Sequence, residues 1–239
     1  MPRCAATKSA FALLPLSLCL LAAALLCLAP SAKAATKTWT DGTDSWNTSA
    51  NWSPVGQPQA GDNAYLTQSD STSRTVGLYA STPTLNSLMI DATGAGTMTL
   101  NIHNPYAMQA TTEYIGYSGN GGVNQVLGWN FAGTVYVGYL PGSAGSYTMP
   151  EMSAVVMPAG VEIAALYIGY YGSGSFTIDP GKNSNGSISA TQAYLGYFSG
   201  SSGTMNLANS GYDWNTTGSL YVGGSSTAAG GMGHLVTQY

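Results

Sequence analysis

The chain of 239 residues is poor in charge and rich in glycine and tyrosine. Charged residues make up 7% of it, against about 25% in an average soluble domain, and 31 residues are Gly. So few charges argue against a long helical bundle, and the lack of a G-x-y period argues against collagen. A formal net charge of −4 argues against a basic nucleic-acid-binding domain. The composition indicates a turn-rich β protein with enough hydrophobic residues, 44%, to bury a core.

Residues 1–34 have the pattern of a secretory signal peptide. Two basic residues precede an apolar run from Ala10 to about Leu28, and Ala32-Lys33-Ala34 fits a small-x-small cleavage site. A retained membrane anchor is the alternative, because the run is nearly long enough to span a bilayer. We favour cleavage after Ala34, since the small residues stand where a signal peptidase needs them. The protein is therefore expected outside the cell or on its outer surface.

Cleavage would change the chemistry available to the mature chain. All three cysteines (Cys4, Cys19 and Cys27) lie in the removed segment, so no disulfide, thiol nucleophile or cysteine metal ligand is expected. Three basic and ten acidic residues remain, which gives a formal charge of −7. No later apolar run approaches the length of a membrane span.

A repeat with two short strands occupies residues 87–239. The tripeptide Tyr-aliphatic-Gly occurs five times, and each copy from Tyr114 to Tyr194 is followed by a second Tyr. A Gly/Ser turn and a second β-like run usually follow. A degenerate sixth copy, residues 88–100, aligns with 166–178 without a gap. Units of 22 to 31 residues predict a right-handed parallel β-helix of about six two-strand repeats.

Strand alternation assigns the repeated residues to two faces. The aliphatic row is predicted to face the core and comprises Ile115, Val137, Ile168, Leu195 and Val222. The tyrosine row is predicted to face the other way as a ladder and comprises Tyr114, Tyr136, Tyr167, Tyr194 and Tyr221. In the second strand, Phe176 and Ile178 and their counterparts are expected in the core. The uneven spacing places the extra residues in loops such as 150–164 and 180–192.

An antiparallel sandwich or barrel is the competing architecture. Each Tyr-aliphatic-Gly strand would then pair with its own follower, and the stretch from Tyr170 to Gly174 is short enough for a hairpin turn. We favour the parallel solenoid, because the same residue types recur where stacking would place them in register.

Residues 35–86 differ from the repeats and contain Trp39, Trp46 and Trp52. We interpret this segment as a cap or first coil, because large aromatic side chains can cover the open end of a solenoid. A carbohydrate site is the alternative, since tryptophan rings stack on sugars.

These two patterns resemble those of a bacterial protein family. The W…G…WN…ANWS…P…GD string resembles the start of the mature region in extracellular proteins that carry a type V autotransporter barrel or a PEP-CTERM sorting tail. The L-Y-[IV]-G-x-x-G-S-G-x-[FM]-T-[IL] unit resembles the repeat associated with both groups. The resemblance covers roughly residues 36–236 and implies a β-helical passenger without a cofactor. The chain has neither the barrel nor the tail, so a fragment and a different mode of attachment both stay open.

Few residues are suited to catalysis or metal binding. His103 and His234 lie in different repeats, and neither a zinc pattern nor the calcium repeat G-G-x-G-x-D is present. Asp179 and Asp213 are single and are expected in turns. A polysaccharide lyase or glycosidase is the enzymatic alternative, and the carboxylates that the repeats offer it are Asp91, Glu113, Glu151, Glu162, Asp179 and Asp213. Glu151 and Glu162 flank one predicted loop and could approach each other; Lys182 is the one basic residue within the repeats, and Arg74 precedes them. We therefore expect no enzyme, no cofactor and no metal.

The sequence favours a non-enzymatic passenger that acts as a stalk or an adhesin-like binding surface. An outward ladder from Tyr114 to Tyr221 would form an aromatic strip for extracellular polysaccharide or for a host or matrix surface. The simpler interpretation of these tyrosines is that they suit a β-sheet surface and cover their neighbours. A carbohydrate-binding or polysaccharide-degrading β-helix is the alternative function.

Overall fold

The structure is a computed structural model that describes residues 34–126, 128–150, 159–178, 186–208 and 212–238. These residues form seventeen β-strands and one 3-10 turn at Ser49–Asn51. The first strands are β1 (Thr36–Trp39), β2 (Asp44–Ser45), β3 (Trp52–Ser53), β4 (Asn63–Gln68), β5 (Arg74–Leu78), β6 (Leu85–Ala92), β7 (Met98–Ile102), β8 (Ala107–Ile115) and β9 (Asn120–Gln125). The others are β10 (Trp129–Val137), β11 (Ala144–Met149), β12 (Ala159–Ile168), β13 (Ser173–Ile178), β14 (Gly186–Leu195), β15 (Ser202–Ala208), β16 (Tyr212–Val222) and β17 (Met232–Gln238).

The strands stack as a parallel β-helix. One sheet has the order β16-β14-β12-β10-β8-β6-β4-β1-β3, and the other has the order β17-β15-β13-β11-β9-β7-β5-β2. Each coil gives one strand to each sheet and pairs in parallel with the coils before and after it. Among the named strands that the structure describes, β1 and β3 form the one antiparallel pair. The parallel solenoid is confirmed, and the antiparallel sandwich is wrong.

The register follows the repeat alignment. Tyr136 pairs with Tyr114 on one side and Tyr167 on the other, and Tyr194 continues the row to Tyr221. The degenerate copy joins the same row through Met89. The six predicted repeats correspond to the strand pairs from β6/β7 to β16/β17, and the pairs β1/β2 and β4/β5 precede them.

The core lies between the two sheets and consists of stacked rows. Ile115, Val137, Ile168 and Leu195 are fully buried, as the alternation predicts. Val222 differs, because it is 50% exposed on β16, the outermost strand of its sheet among the described residues. The second sheet contributes buried Tyr147, Phe176 and Met205, the first two of which stack with ring centroids 4.6 Å apart.

Strands β8, β10, β12 and β14 of the larger sheet each contain one residue without a pairing partner, and we call this position the bend. Pairing skips Thr111, Gly133, Ala164 and Thr191, and the inward positions shift by one residue there. In β8, for example, inward residues change from Met108 and Ala110 to Glu113 and Ile115. The predicted loops 150–164 and 180–192 are therefore partly wrong, since β12 begins at Ala159 and β14 at Gly186. The part of each strand that precedes the bend also pairs with its neighbours and packs side chains such as Val161 and Ile188 into the core.

The glycine of each Tyr-aliphatic-Gly unit allows the chain to leave the sheet. Gly169 has a φ of 72°, in the left-handed region that other residues rarely adopt. A Cβ atom there would collide with the carbonyl oxygen of Ser202 in the next coil. Gly138 has the same conformation and the same close neighbour one coil earlier, Ser173. The repeated glycine is thus required by both the turn and the close stacking of coils.

The three tryptophans of the N-terminal segment are buried at the β3 end of the stack. Trp39, Trp46 and Trp52 are 4%, 2% and 1% exposed, and they belong to the same core cluster as the repeats. Trp52 packs edge-on against both of the others, with centroids 5.2 Å and 4.7 Å apart. Its indole N–H donates to the carbonyl of Trp46. Rings that are this deeply buried offer little surface for stacking on a sugar, and the cap stays a prediction.

Candidate functional surface

Tyrosines form two parallel rows on the outer side of the larger sheet. We call both rows together the tyrosine ladder. The first row is the predicted one and comprises Tyr114, Tyr136, Tyr167, Tyr194 and Tyr221. The second row follows the corner glycines and comprises Tyr117, Tyr139, Tyr170 and Tyr197. The sequence shows this second row as the Tyr that follows the Gly in four of the five copies, but its contact with the first row depends on the turn.

Rings within each row stack on one another along the solenoid. In the first row, neighbouring centroids are 4.7 to 5.3 Å apart and the rings are nearly parallel, at 5° to 14°. In the second row, the spacing is 5.1 to 5.2 Å. This spacing is close to the strand separation of about 4.8 Å that the sheet itself imposes. The ladder is therefore a direct product of in-register coils.

The two rows also contact each other through edge-on ring pairs. Tyr167 meets Tyr170 and Tyr197 edge-on, at 5.2 Å and 5.1 Å, and Tyr136 meets Tyr139 and Tyr170 in the same way, both at 4.9 Å. Edge-to-face and offset-stacked contacts are the favoured geometries of aromatic pairs. Each internal ring thus has aromatic neighbours on both faces and at an edge.

This packing decides what the ladder presents to solvent. Because both faces of Tyr136, Tyr167 and Tyr194 are covered by neighbouring rings, these faces are closed to a sugar ring. Ring edges remain, together with the phenol hydroxyls. The hydroxyl of Tyr194 donates to Oε1 of Gln192 at 2.9 Å. The surface is a row of edges rather than a flat aromatic strip.

Burial within the ladder perturbs its phenols. Desolvation, with a smaller contribution from neighbouring tyrosines, raises the pKa of Tyr136 and of Tyr167 to about 12. The same two causes raise the pKa of Tyr114, Tyr170 and Tyr194 above the usual value. The phenols therefore stay neutral at physiological pH and offer hydrogen bonds rather than charge.

The outer face of the second sheet is polar and neutral. One in-register row contains Thr99, Gly122, Ser146, Ser175 and Thr204. A second row, two residues further along each strand, contains Asn101, Asn124, Thr148, Thr177 and Asn206. From β7 to β15 neither row carries a charged side chain, and on β17 the rows continue with His234 and Val236. The protein thus has an aromatic side and a hydroxyl-rich and amide-rich side.

Of the residues considered for catalysis, those that the structure describes lie apart. Glu162 is exposed on β12, where it pairs with Phe131 and Ser189. His103 stacks on Tyr79 with centroids 4.6 Å apart, and His234 lies on β17. Glu151, Asp179 and Lys182 lie outside the described residues, and the side chain of Asp213 is not described.

Aspartates of the described segments support turns. The carboxylate of Asp91 accepts hydrogen bonds from the backbone N–H groups of Ser118 and Gly119 and from the Ser118 hydroxyl. Asp62 accepts the backbone N–H of Ala35 and of Gln59. In the part of the chain that the structure describes, no three His, Cys, Asp or Glu side chains are grouped as metal ligands.

The burial of Glu113 was not predicted from the sequence. Glu113 is fully buried and occupies the inward row that otherwise holds Leu88, Val135, Leu166 and Ala193. Alignment of the repeats could have revealed this position, because Glu113 is the one charged residue among aliphatic residues at the equivalent place in the other repeats.

Comparison with known proteins returns no relative. No family model matches the chain, and neither a curated protein nor a solved structure matches it. No helix within the described ranges is long and apolar enough to cross a membrane.

Proposed function

We propose that this protein is a non-enzymatic, extracellular β-helical passenger that acts as a rigid stalk. The observation that supports it is the tyrosine ladder, whose rings pack against one another instead of leaving their faces open. Stacked and edge-on contacts link five successive coils from Tyr114 to Tyr221. Such a ladder resists bending and separation of coils, because either motion breaks several aromatic contacts at once.

The rest of the described surface is consistent with a scaffold. Among the described residues, Glu162, His103 and His234 lie on different strands and loops, which supports a role that does not depend on acid–base chemistry. The resemblance to autotransporter and PEP-CTERM-associated passengers supports export and display at the cell surface. We propose that residues 1–34 direct this export and that cleavage follows Ala34. N-terminal sequencing of the protein recovered from the medium or cell surface would test the cleavage site.

A binding surface for neutral polysaccharide is the second candidate. The observation that favours it is the neutral face of the second sheet, where hydroxyl and amide groups recur in register. Such groups can hydrogen-bond to sugar hydroxyls without a charge requirement. The ladder could contribute ring edges and phenol hydroxyls on the other side.

A glycan array with matched variants distinguishes a stalk from a binder. Tyr167→Ala removes a ring from the ladder, and Thr177→Val removes one hydroxyl from the neutral face with little change in shape. A stalk gives no glycan binding for the wild type. Binding that is lost in Thr177→Val, with the fold retained by circular dichroism, would replace the stalk by an adhesin-like binder. Loss only in Tyr167→Ala would assign binding to the ladder.

An enzyme assay tests the remaining alternative. We expect no product release from pectin-like or alginate-like polymers. Release that disappears in Glu162→Gln or Glu151→Gln would contradict the non-enzymatic proposal.

A further inference from the structure

Four polar side chains meet inside the solenoid where a hydrophobic core is expected. Glu113, Gln125, Asn130 and Tyr147 come from β8, β9, β10 and β11, and each is fully buried. The amide of Asn130 donates to Oε2 of Glu113 at 2.9 Å and to the hydroxyl of Tyr147 at 3.1 Å. The Tyr147 hydroxyl donates to Oε1 of Gln125. We call these four residues the buried polar cluster.

The donors of the cluster are all in use. Asn130 gives its two amide hydrogens as described, and Tyr147 gives its one. The amide of Gln125 donates to the carbonyls of Gly128 and Gly160, at 2.9 Å and 3.0 Å. Two acceptors remain without a partner, Oε1 of Glu113 and Oδ1 of Asn130. Leaving two buried acceptors unpaired is costly, so the cluster lacks one donor hydrogen.

The two unpaired atoms belong to the two side chains that already share a hydrogen bond. A carboxyl and a carboxamide are both planar forks. When two such groups pair in one plane through Oε2 and Nδ2, the remaining atoms that face each other are Oε1 of the acid and Oδ1 of the amide. One hydrogen on Oε1 would satisfy both atoms and complete a two-hydrogen-bond acid–amide pair.

No positive charge in the described segments compensates a carboxylate at this position. The one ion pair of the described residues joins Arg74 to Asp70 on the surface. Lys37 donates to the carbonyls of Pro54 and Val55. Within the cluster, Tyr147 is the one titratable neighbour of Glu113, and burial keeps it neutral by raising its pKa well above the usual value. Neighbours in register from β6 and β10 are the aliphatic Leu88 and Val135.

We propose that the buried polar cluster is a proton-binding site in which Glu113 is a neutral carboxylic acid that donates from Oε1 to Asn130. Loss of that proton places an uncompensated charge between the coils of β8/β9 and β10/β11. The free energy that holds these two coils together therefore decreases as the pH rises. This inference is independent of whether the protein is a stalk or a binder.

Burial sets the pH range over which Glu113 loses its proton. Desolvation raises the pKa of Glu113 from 4.5 to about 7, although the hydrogen bond from Asn130 lowers it. Because the folded-state pKa is the higher one, the stabilisation is complete below pH 4.5 and is lost as the pH rises to about 7. In this window the unfolding equilibrium constant should rise by up to about tenfold per pH unit. Above it the effect levels off.

Glu113→Gln tests the proposal, because glutamine imitates the protonated acid at every pH. Its amide can donate to Oδ1 of Asn130 while its carbonyl accepts from Nδ2. Chemical denaturation of the whole chain from pH 4 to 8 should show that the wild type loses stability relative to Glu113→Gln by about a hundredfold or more in the unfolding constant. Glu162→Gln, an exposed control, should follow the wild-type profile. Equal profiles for the wild type and Glu113→Gln would overturn the proposal.

Infrared spectroscopy of the wild type gives a second measurement that does not depend on a foldable variant. A protonated, hydrogen-bonded carboxylic acid band should be present at pH 5.5, where exposed carboxylates are ionised, and should disappear with a midpoint near 7. Absence of this band would overturn the proposal. Stability at pH 8 that rises with added calcium or sodium in the wild type but not in Glu113→Gln would also overturn it, by assigning the site to a cation.

Discussion

Removal of a single ring from the middle of the tyrosine ladder should destabilise the protein far more than an ordinary surface substitution. Tyr167 stacks on Tyr136 and Tyr194, at 5.0 Å and 4.7 Å, and meets Tyr170 and Tyr197 edge-on. Aromatic pairs contribute roughly 0.5 to 1.5 kcal/mol each beyond burial. Because the four contacts share one ring, they do not simply add. We expect Tyr167→Ala to lower the free energy of unfolding by about 3 kcal/mol.

Two matched variants distinguish the contribution of the ring contacts to stability from that of the hydroxyl and from that of an isolated tyrosine on the same sheet. Tyr167→Phe keeps all four ring contacts, so its effect should stay within about 0.5 kcal/mol. Tyr65 lies in the same outward row, next to Met89 in register, and has no aromatic ring contact among the described residues. Tyr65→Ala therefore reports loss of a tyrosine from this sheet without loss of the ladder, and we expect about 1 kcal/mol.

Guanidinium unfolding followed by far-ultraviolet circular dichroism measures these differences, provided that the m-values agree. Amide hydrogen exchange would locate the effect, since protection should fall in β10, β12 and β14 before it falls elsewhere. Equal midpoints for Tyr167→Ala and Tyr65→Ala would refute the claim that ring packing stabilises the coils. A large effect of Tyr167→Phe would mean that the hydroxyl, not the ring, is responsible.

Three further outcomes follow from the fold. The phenols of Tyr136 and Tyr167 should ionise near pH 12 in the folded protein and near pH 10 in guanidinium, as measured by phenolate absorbance. Because the folded-state pKa is the higher one, the neutral phenols stabilise the fold fully below pH 10, and this stabilisation is lost as the pH rises to about 12. Gly169→Ala should cost at least about 2 kcal/mol in thermal or chemical unfolding, because its φ is positive and the neighbouring carbonyl cannot move aside; a neutral result would contradict the close stacking of coils. Phe176→Ala should cost about 3 to 5 kcal/mol, since the ring is fully buried against Tyr147, whereas Ser175→Ala, next to it on the outer face, should change little.

The parts of this fold that repeat could be predicted from the sequence. Ile168 and its counterparts Ile115, Val137 and Leu195 recur at the same place in their units, so strand alternation is enough to assign them to the core. The same holds for Phe176 and for the stacking of the first tyrosine row. Their agreement with the structure reflects one rule, that identical residues occupy identical positions in successive coils.

Other features depend on contacts that a repeat alone does not specify. The bend at Thr111 shifts the inward positions by one residue, and no turn residue common to all coils marks it. The burial of Glu113 could not be predicted from its own repeat, because the polar groups around it, on Asn130 and Tyr147, come from strands in the next coil. The sequence also does not show which parts of the tyrosine rings stay exposed, because this depends on contacts with the second row. The position of that row is set by the turn at the corner glycine.

The in-register stacking has a consequence for how such a chain can change in length. Successive first-row tyrosines are 22, 31, 27 and 27 residues apart, yet they align on one line. The fold is thus tolerant of insertions between strands and intolerant of a one-residue shift within them. Deletion of one complete coil would leave both rows of the ladder continuous, whereas deletion of a single residue near Tyr167 would exchange inside and outside for the rest of the strand. The natural unit of variation in this protein is therefore the whole turn.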